Sequence, residues 1–226
     1  MPDDSFFFVI EGIDGAGKSS IAVQLHEALS QTHRDRVVRT FEPHNPSAAG
    51  KYIRKVLAKE TRASPRALAL AFALNRVDHL DRVINPALNA DDKGIVICDR
   101  YLLSSLVYQS TGGLSMDDVY GLNRWARTPD LTVYLSVSPH TGYARMRGRP
   151  TDRELFERNL AERAEQYRAG IALLRDKGER IIEVDANPAF DKVLAAVLDV
   201  LKDRGPAWLR IQPPLLLDWH ESEPAK

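Results

Sequence analysis

The chain is short of several things, and each shortage excludes a class of protein. It has one cysteine, Cys98, in 226 residues. A single thiol cannot form an internal disulfide, which fits a reducing compartment. Cys98 itself lies in the apolar run 94–98 and reads as a core strand residue rather than a nucleophile. There is no excess of charge, because 31 Lys plus Arg balance 31 Asp plus Glu. No global field therefore draws the molecule to nucleic acid or to a membrane surface, and any polyanion site must be a local cluster. No apolar run is long enough to span a bilayer and no signal-peptide pattern is present, so a soluble, cytoplasmic protein with no nucleic-acid or membrane partner is expected. The six histidines show no ligand-like clustering, which argues against a zinc centre.

What is present is ordinary in amount and informative in order. Hydrophobic residues make up 44% and charged residues 27% of the chain, as in a globular protein. The length fits one domain with insertions. Short apolar runs at 6–10, 37–41, 94–98, 131–137 and 180–184 alternate with helical spacing over 17–30, 48–59, 64–90, 101–126, 139–147, 154–176 and 188–203. The helix over 101–126 breaks near Gly112 and Gly113. Strands alternating with helices imply an α/β fold: a five-stranded parallel sheet covered on both faces. One domain is expected over 1–203, with a tail over 204–226 whose apolar residues favour packing.

The first strand runs into Gly12-x4-Gly17-Lys18-Ser19. A buried strand, a glycine-rich loop and a helix in that order form a phosphate-binding loop, the signature of the P-loop NTPase fold. The glycines let backbone N–H groups face an anion, and the helix N-terminus adds partial positive charge. Gly12, Gly15, Ala16, Gly17, Lys18, Ser19 and Ser20 are the candidate phosphate-binding residues, with Lys18 on the outer phosphates and the Ser19 hydroxyl on Mg²⁺.

In open α/β sheets, ligands lie beyond the carboxyl ends of the strands, and here those ends are polar. The first is followed by Glu11 and Asp14, the second by Glu42, Pro43 and His44, and the third by Asp99 and Arg100. Asp99 suits Mg²⁺ or its water shell; Arg100 suits bidentate phosphate contact. Between two helical segments, Arg145, Arg147, Arg149 and Arg153 surround a Gly and a Pro, reading as a mobile cationic lid over about 147–154. Closing such a lid brings cations to a moving phosphoryl group and expels water. Phe72 and Arg76 stand four apart on a predicted helix, so they share a face and suit clamping one base.

At residues 11–20, at Phe72-x3-Arg76 and at residues 99–109 the chain resembles the thymidylate kinase family of P-loop nucleoside-monophosphate kinases. The resemblance implies transfer of the ATP γ-phosphoryl group to dTMP, with Mg²⁺ and a homodimer. It implies that Asp14 bonds the deoxyribose 3′-hydroxyl, Arg100 holds the acceptor phosphate, Phe72 stacks on thymine and Arg76 reads a base carbonyl. Ser104 and Ser105 then lie near the base, Tyr108 beside the sugar where it disfavours a 2′-hydroxyl, and Gln109 near the same pocket. With Gly15 and Ala16 where some relatives carry an arginine, the catalytic arginines beside Lys18 and Arg100 are expected from the lid, as Arg149 and Arg153. One departure stands out. The family usually carries Arg-Glu-Pro-Gly-Gly after the second strand, and here the segment is Phe41-Glu42-Pro43-His44-Asn45. Glu42 keeps an acid near the metal, but the arginine beside the acceptor phosphate is missing, and His44 supplies part of its charge only if protonated. Kinases for another deoxynucleotide or a deoxynucleoside, and a non-catalytic nucleotide-binding relative, remain as alternatives.

Overall fold

The computed structural model describes residues 5–89, 94–146 and 160–211. Five strands, β1 (Phe6–Gly12), β2 (Val37–Phe41), β3 (Ile95–Asp99), β4 (Leu131–Ser136) and β5 (Ile181–Asp185), form one parallel sheet. Their order is β2-β3-β1-β4-β5. The chain leaves central β1, goes outward to β2, returns to β3, and only then crosses to β4. The carboxyl end of β1 is thus the topological switch point, where such sheets leave a crevice. All seven residues of β1 are buried, as expected of a strand covered on both faces.

The register sorts the strand residues by face, because neighbours in register point the same way. Phe8, Ile97 and Arg39 share one face; Val9, Cys98 and Thr40 share the other. Helix α1 (Lys18–His33) packs on β2 and β3 and touches α9 (Phe190–Arg204). On the opposite face α3 (Pro65–His79), α5 (Leu102–Gln109), α6 (Met116–Leu122) and α8 (Leu160–Asp176) pack on one another. Helix α2 (Ala48–Leu57) lies on α3, and α7 (Pro139–Met146) touches α8. Cys98 is buried, its thiol donates to the Arg100 carbonyl at 3.1 Å, and burial pushes its pKa up, so the thiol is inert.

Helix boundaries follow local chemistry. The Ser47 and Ser64 side chains accept from Gly50 N and Ala67 N, capping α2 and α3, and Pro65 occupies the first turn of α3. The helix expected over 64–90 is not continuous. It widens into a π-helical turn, Leu80–Ile84, before the short α4 (Asn85–Leu88). Pro86 has no N–H to return to residue 82, and the wide turn falls just before it. The expected break near 112–113 is real: Gly112 has φ 61°, and a Cβ there would lie 2.4 Å from the Pro65 ring. Helix α6 restarts after it on a Ser115–Asp118 capping box. Past α9 the chain packs back on α1. Leu209 is buried, the Trp208 ring meets the His33 ring edge-on at 5.8 Å, and Arg210 N donates to His33 Nε2 at 3.2 Å. The rest of the expected tail lies outside the described residues.

Candidate active site

Helix α1 starts at Lys18 with Gly17 in the left-handed region and no side-chain cap, leaving the N–H groups of its first turn, which includes Ser19 and Ser20, for an anion. Gly15, at φ 81°, is required by contact as well as conformation: a Cβ there would lie 2.2 Å from the Gly142 carbonyl oxygen of α7. The Lys18 ammonium donates to the Ile13 carbonyl at 2.8 Å and lies 4.0 Å from Asp14. Burial, reinforced by the nearby Arg100, pushes its pKa down to about 8 against the pull of Asp14, Asp99 and Glu11. An arriving phosphate supplies the negative charge this lysine lacks.

Beside the loop, Ser19 Oγ donates to Asp99 Oδ2 at 2.5 Å, while Asp99 Oδ1 is buried without a partner among the described residues. An orphaned carboxylate oxygen next to a hydroxyl suits a hard cation. No group of three or more His, Cys, Asp or Glu residues that could hold a metal occurs among the described residues.

Arg100 sits at φ 69° and donates its backbone N–H to Ile10 at 2.9 Å. Its guanidinium is paired with Asp14 and reaches Ser104 Oγ at 3.3 Å and the Tyr167 hydroxyl at 3.4 Å. Burial raises the Asp14 pKa, but the Arg100 charge, helped by Lys18, outweighs it and holds this carboxyl below the usual range. Below Arg100, the buried Glu11 carboxylate accepts from Tyr101 N at 2.8 Å, Ser104 N at 2.9 Å and Ser104 Oγ at 2.7 Å. It thereby caps the first turn of α5 from the next strand, although burial pushes its pKa up. The Tyr167 hydroxyl donates to the Gly12 carbonyl at 3.0 Å and lies 3.1 Å from Ser104 Oγ.

A second arginine stands at the other end. Buried Arg76 gives Nε to Glu42 Oε2 at 2.9 Å, Nη2 to Ser105 Oγ at 2.9 Å and Nη1 to Asn123 Oδ1, and lies over the Tyr101 ring at 4.9 Å. His79 Nδ1 lies 3.3 Å from Glu42 Oε1, and its Nε2 lies 2.7 Å from Thr40 Oγ1. Asn75 accepts from His44 N at 2.7 Å and donates to His44 O at 2.9 Å, fastening α3 to the loop after β2. The His44 ring stacks on His79 at 4.4 Å, and burial, then the His79 charge, push its pKa down. That shift disfavours the protonated form in which His44 would supply charge.

All nine predicted substrate residues, Asp14, Glu42, Phe72, Arg76, Arg100, Ser104, Ser105, Tyr108 and Gln109, line one cavity of about 370 Å³, together with Ser19 and Asp99. The expected lid, with Arg149 and Arg153, lies outside the described residues. Arg145, read as part of that cationic cluster, has another use: it donates to the carbonyls of Ala186 at 2.7 Å, Asn187 at 3.2 Å and Pro188 at 2.9 Å, tying α7 to the loop after β5. The sequence reading missed Asn75, His79, Asn123 and Tyr167. The first two carried a signal, because with Phe72 and Arg76 they complete the 72, 75, 76, 79 stripe of the buried face of α3.

A parallel sheet with a phosphate loop at its switch point, and a walled cavity of paired arginines beside that loop, defines a P-loop phosphotransferase with a separate acceptor pocket. Comparison with known proteins narrows the class. Residues 10–197 match the family model of thymidylate kinase. The chain is 38% identical over 192 residues to a probable thymidylate kinase of Staphylothermus marinus, covering 84% of this chain and 92% of that one. It is 38% identical over 207 residues to a thymidylate kinase of Ruegeria pomeroyi, covering 89% and 96%. The crystal structure of thymidylate kinase from Ehrlichia chaffeensis superposes with a TM-score of 0.63 at 28% identity, covering 87% of this chain and 98% of that one. The chain belongs to the thymidylate kinase family, a family of ATP-dependent nucleoside-monophosphate kinases.

Proposed function

We propose that the protein transfers the γ-phosphoryl group of ATP to dTMP, giving dTDP and ADP. The observation that carries this reading is a single cavity running from Ser19 and Asp99 at the phosphate loop to Phe72 and Arg76 at its far end. The loop amides and Lys18 take the ATP phosphates. Ser19 and Asp99 would hold Mg²⁺, which when bound would neutralise phosphate charge. Asp14 binds the sugar 3′-hydroxyl and Arg100 the acceptor phosphate, so each exchanges its present partner for substrate. Phe72 stacks on the base, and Tyr108 closes the sugar side. Arg76 reads a base carbonyl with the Nη1 hydrogen left over from its bonds to Glu42, Ser105 and Asn123, and a wrong base leaves it unpaired. Gln109 assists, its Oε1 being buried without a partner among the described residues. Arg149 and Arg153 supply further cations during transfer. Positioning and charge neutralisation do the work, with no covalent intermediate.

The enzyme works as a homodimer in the cytoplasm. In support of pairing, Leu70 and Leu74, one turn apart on α3, are 55% and 62% exposed. Among the described residues, no helix is long and apolar enough to cross a membrane. A coupled ADP-release assay across dTMP, dUMP, thymidine and other nucleotides tests the reading. The highest kcat/KM is expected for dTMP; faster turnover of thymidine refutes it.

A further inference from the structure

Four arginines line the cavity, and they differ in what they already hold. Arg76 is paired with Glu42 and Arg100 with Asp14. Arg54, on α2, gives Nε to Asn45 Oδ1 at 2.7 Å. Arg39, on β2, has neither an acidic partner nor a hydrogen-bond acceptor for its side chain among the described residues, and it is exposed.

The sheet register places this unspent charge. Arg39 pairs with Ile97 and Phe41 with Asp99. Positions 39 and 41 therefore share the face on which Asp99 meets Ser19 at the start of α1. Thr40 turns to the other face, where its hydroxyl meets His79, one helical turn beyond Arg76. Arg39 thus belongs to the phosphate end of the cavity and not to the base end. The position two residues nearer the carboxyl end of the strand on that same face is Phe41, which lines the cavity without charge and is 38% exposed. Asp14 and Asp99 put two carboxylates at this end, so a phosphate dianion needs cations beyond those already paired.

The geometry points to Arg39 as a specificity-determining residue that holds the phosphate of the acceptor alongside Arg100. It rests on the monophosphate-kinase reading and adds to it the residue that favours a nucleotide acceptor over the bare nucleoside. Arg39 and Phe41 both line the cavity, and a guanidinium there suits bidentate binding of phosphate oxygens.

The test is calorimetric titration of wild type, Arg39→Gln and Arg39→Lys with dTMP, thymidine and ATP, the fold being followed by thermal melting. Arg39→Gln is expected to weaken dTMP about tenfold or more while thymidine and ATP stay within about twofold. Arg39→Lys, which keeps the charge but not the two-pronged fork, is expected to lose part of the dTMP-to-thymidine affinity ratio, less than Arg39→Gln loses. An unchanged ratio in Arg39→Gln overturns the inference, and so does an equal loss for thymidine or ATP. A ratio that falls equally in both variants overturns the role of charge. Wild-type turnover of dTMP decides the underlying reading separately, since binding ratios in the variants do not depend on it.

Discussion

Each end of the cavity holds an arginine paired with a carboxylate, and the two pairs are built for opposite purposes. At the base end, the Arg76 and Glu42 side chains are 2% and 5% exposed, and Asn123, Ser105 and His79 take up further bonding capacity. At the phosphate end, Arg100 and Asp14 are 23% and 32% exposed and lean on each other. A sealed pair is costly to break, because removing one partner strands a buried charge. An open pair exchanges partners cheaply, because water screens the charges during the exchange. The base end is a preformed template, and the phosphate end is a latch that substrate opens.

The comparison is broken most strongly at the phosphate loop. Lys18→Ala is expected to lower kcat on the order of a thousandfold while the melting temperature stays near that of wild type; near-normal turnover would refute the site. At the template end the damage moves from rate to stability. Arg76→Ala is expected to cost about 3 kcal/mol in denaturant unfolding, because buried Glu42 loses its guanidinium and keeps only the contact with the His79 ring. A loss below about 1 kcal/mol would mean that this end is as loose as the other. At the latch, Asp14→Asn is expected to raise the KM for dTMP about tenfold and to change unfolding stability by less than about 1 kcal/mol. A larger stability loss than that of Arg76→Ala would reverse the assignment of template and latch.

The smallest effect sharpens the same point with a carboxylate that has no cation. Glu179, just before β5, has no ion pair among the described residues, and burial, then the Glu11 charge, push its pKa up to about 7 despite Arg76. Its folded pKa lies above the unfolded value near 4.3, so ionising it costs folding stability. That cost grows between those two pH values and is complete above the higher one. Glu179→Gln is therefore expected to raise the melting temperature by about 2 °C or more at pH 8 and not at pH 4. Equal shifts at both pH values would remove ionisation as the cause.

What was legible in the sequence depended on distance along the chain. The five strands, the phosphate loop and its helix are local patterns, and they were found within three residues of their places. The nine substrate residues are grouped because strand ends and one helix stripe are also local features. Arg76 showed its spacing from Phe72 but not Glu42, 34 positions away, or Asn123, 47 away. Tyr167 bonds the Gly12 carbonyl across 155 positions, a contact no periodicity announces. Arg145 and His44 were read from charge type alone, and packing gave each another use: one binds carbonyls, the other stacks on a second imidazole.

The close approach of Gly15 to Gly142 has a consequence for how such a chain can drift. Two positions 127 apart have no room for a methyl group between them, and Arg145, one turn beyond Gly142, fastens the same helix to three carbonyls. A side chain at 15 is therefore tolerated only where α7 stands further out, and α7 stands further out only where its clasp has been rebuilt. Any side chain placed at position 15 of the loop is thus opposed by a helix that contributes no described residue to the cavity wall.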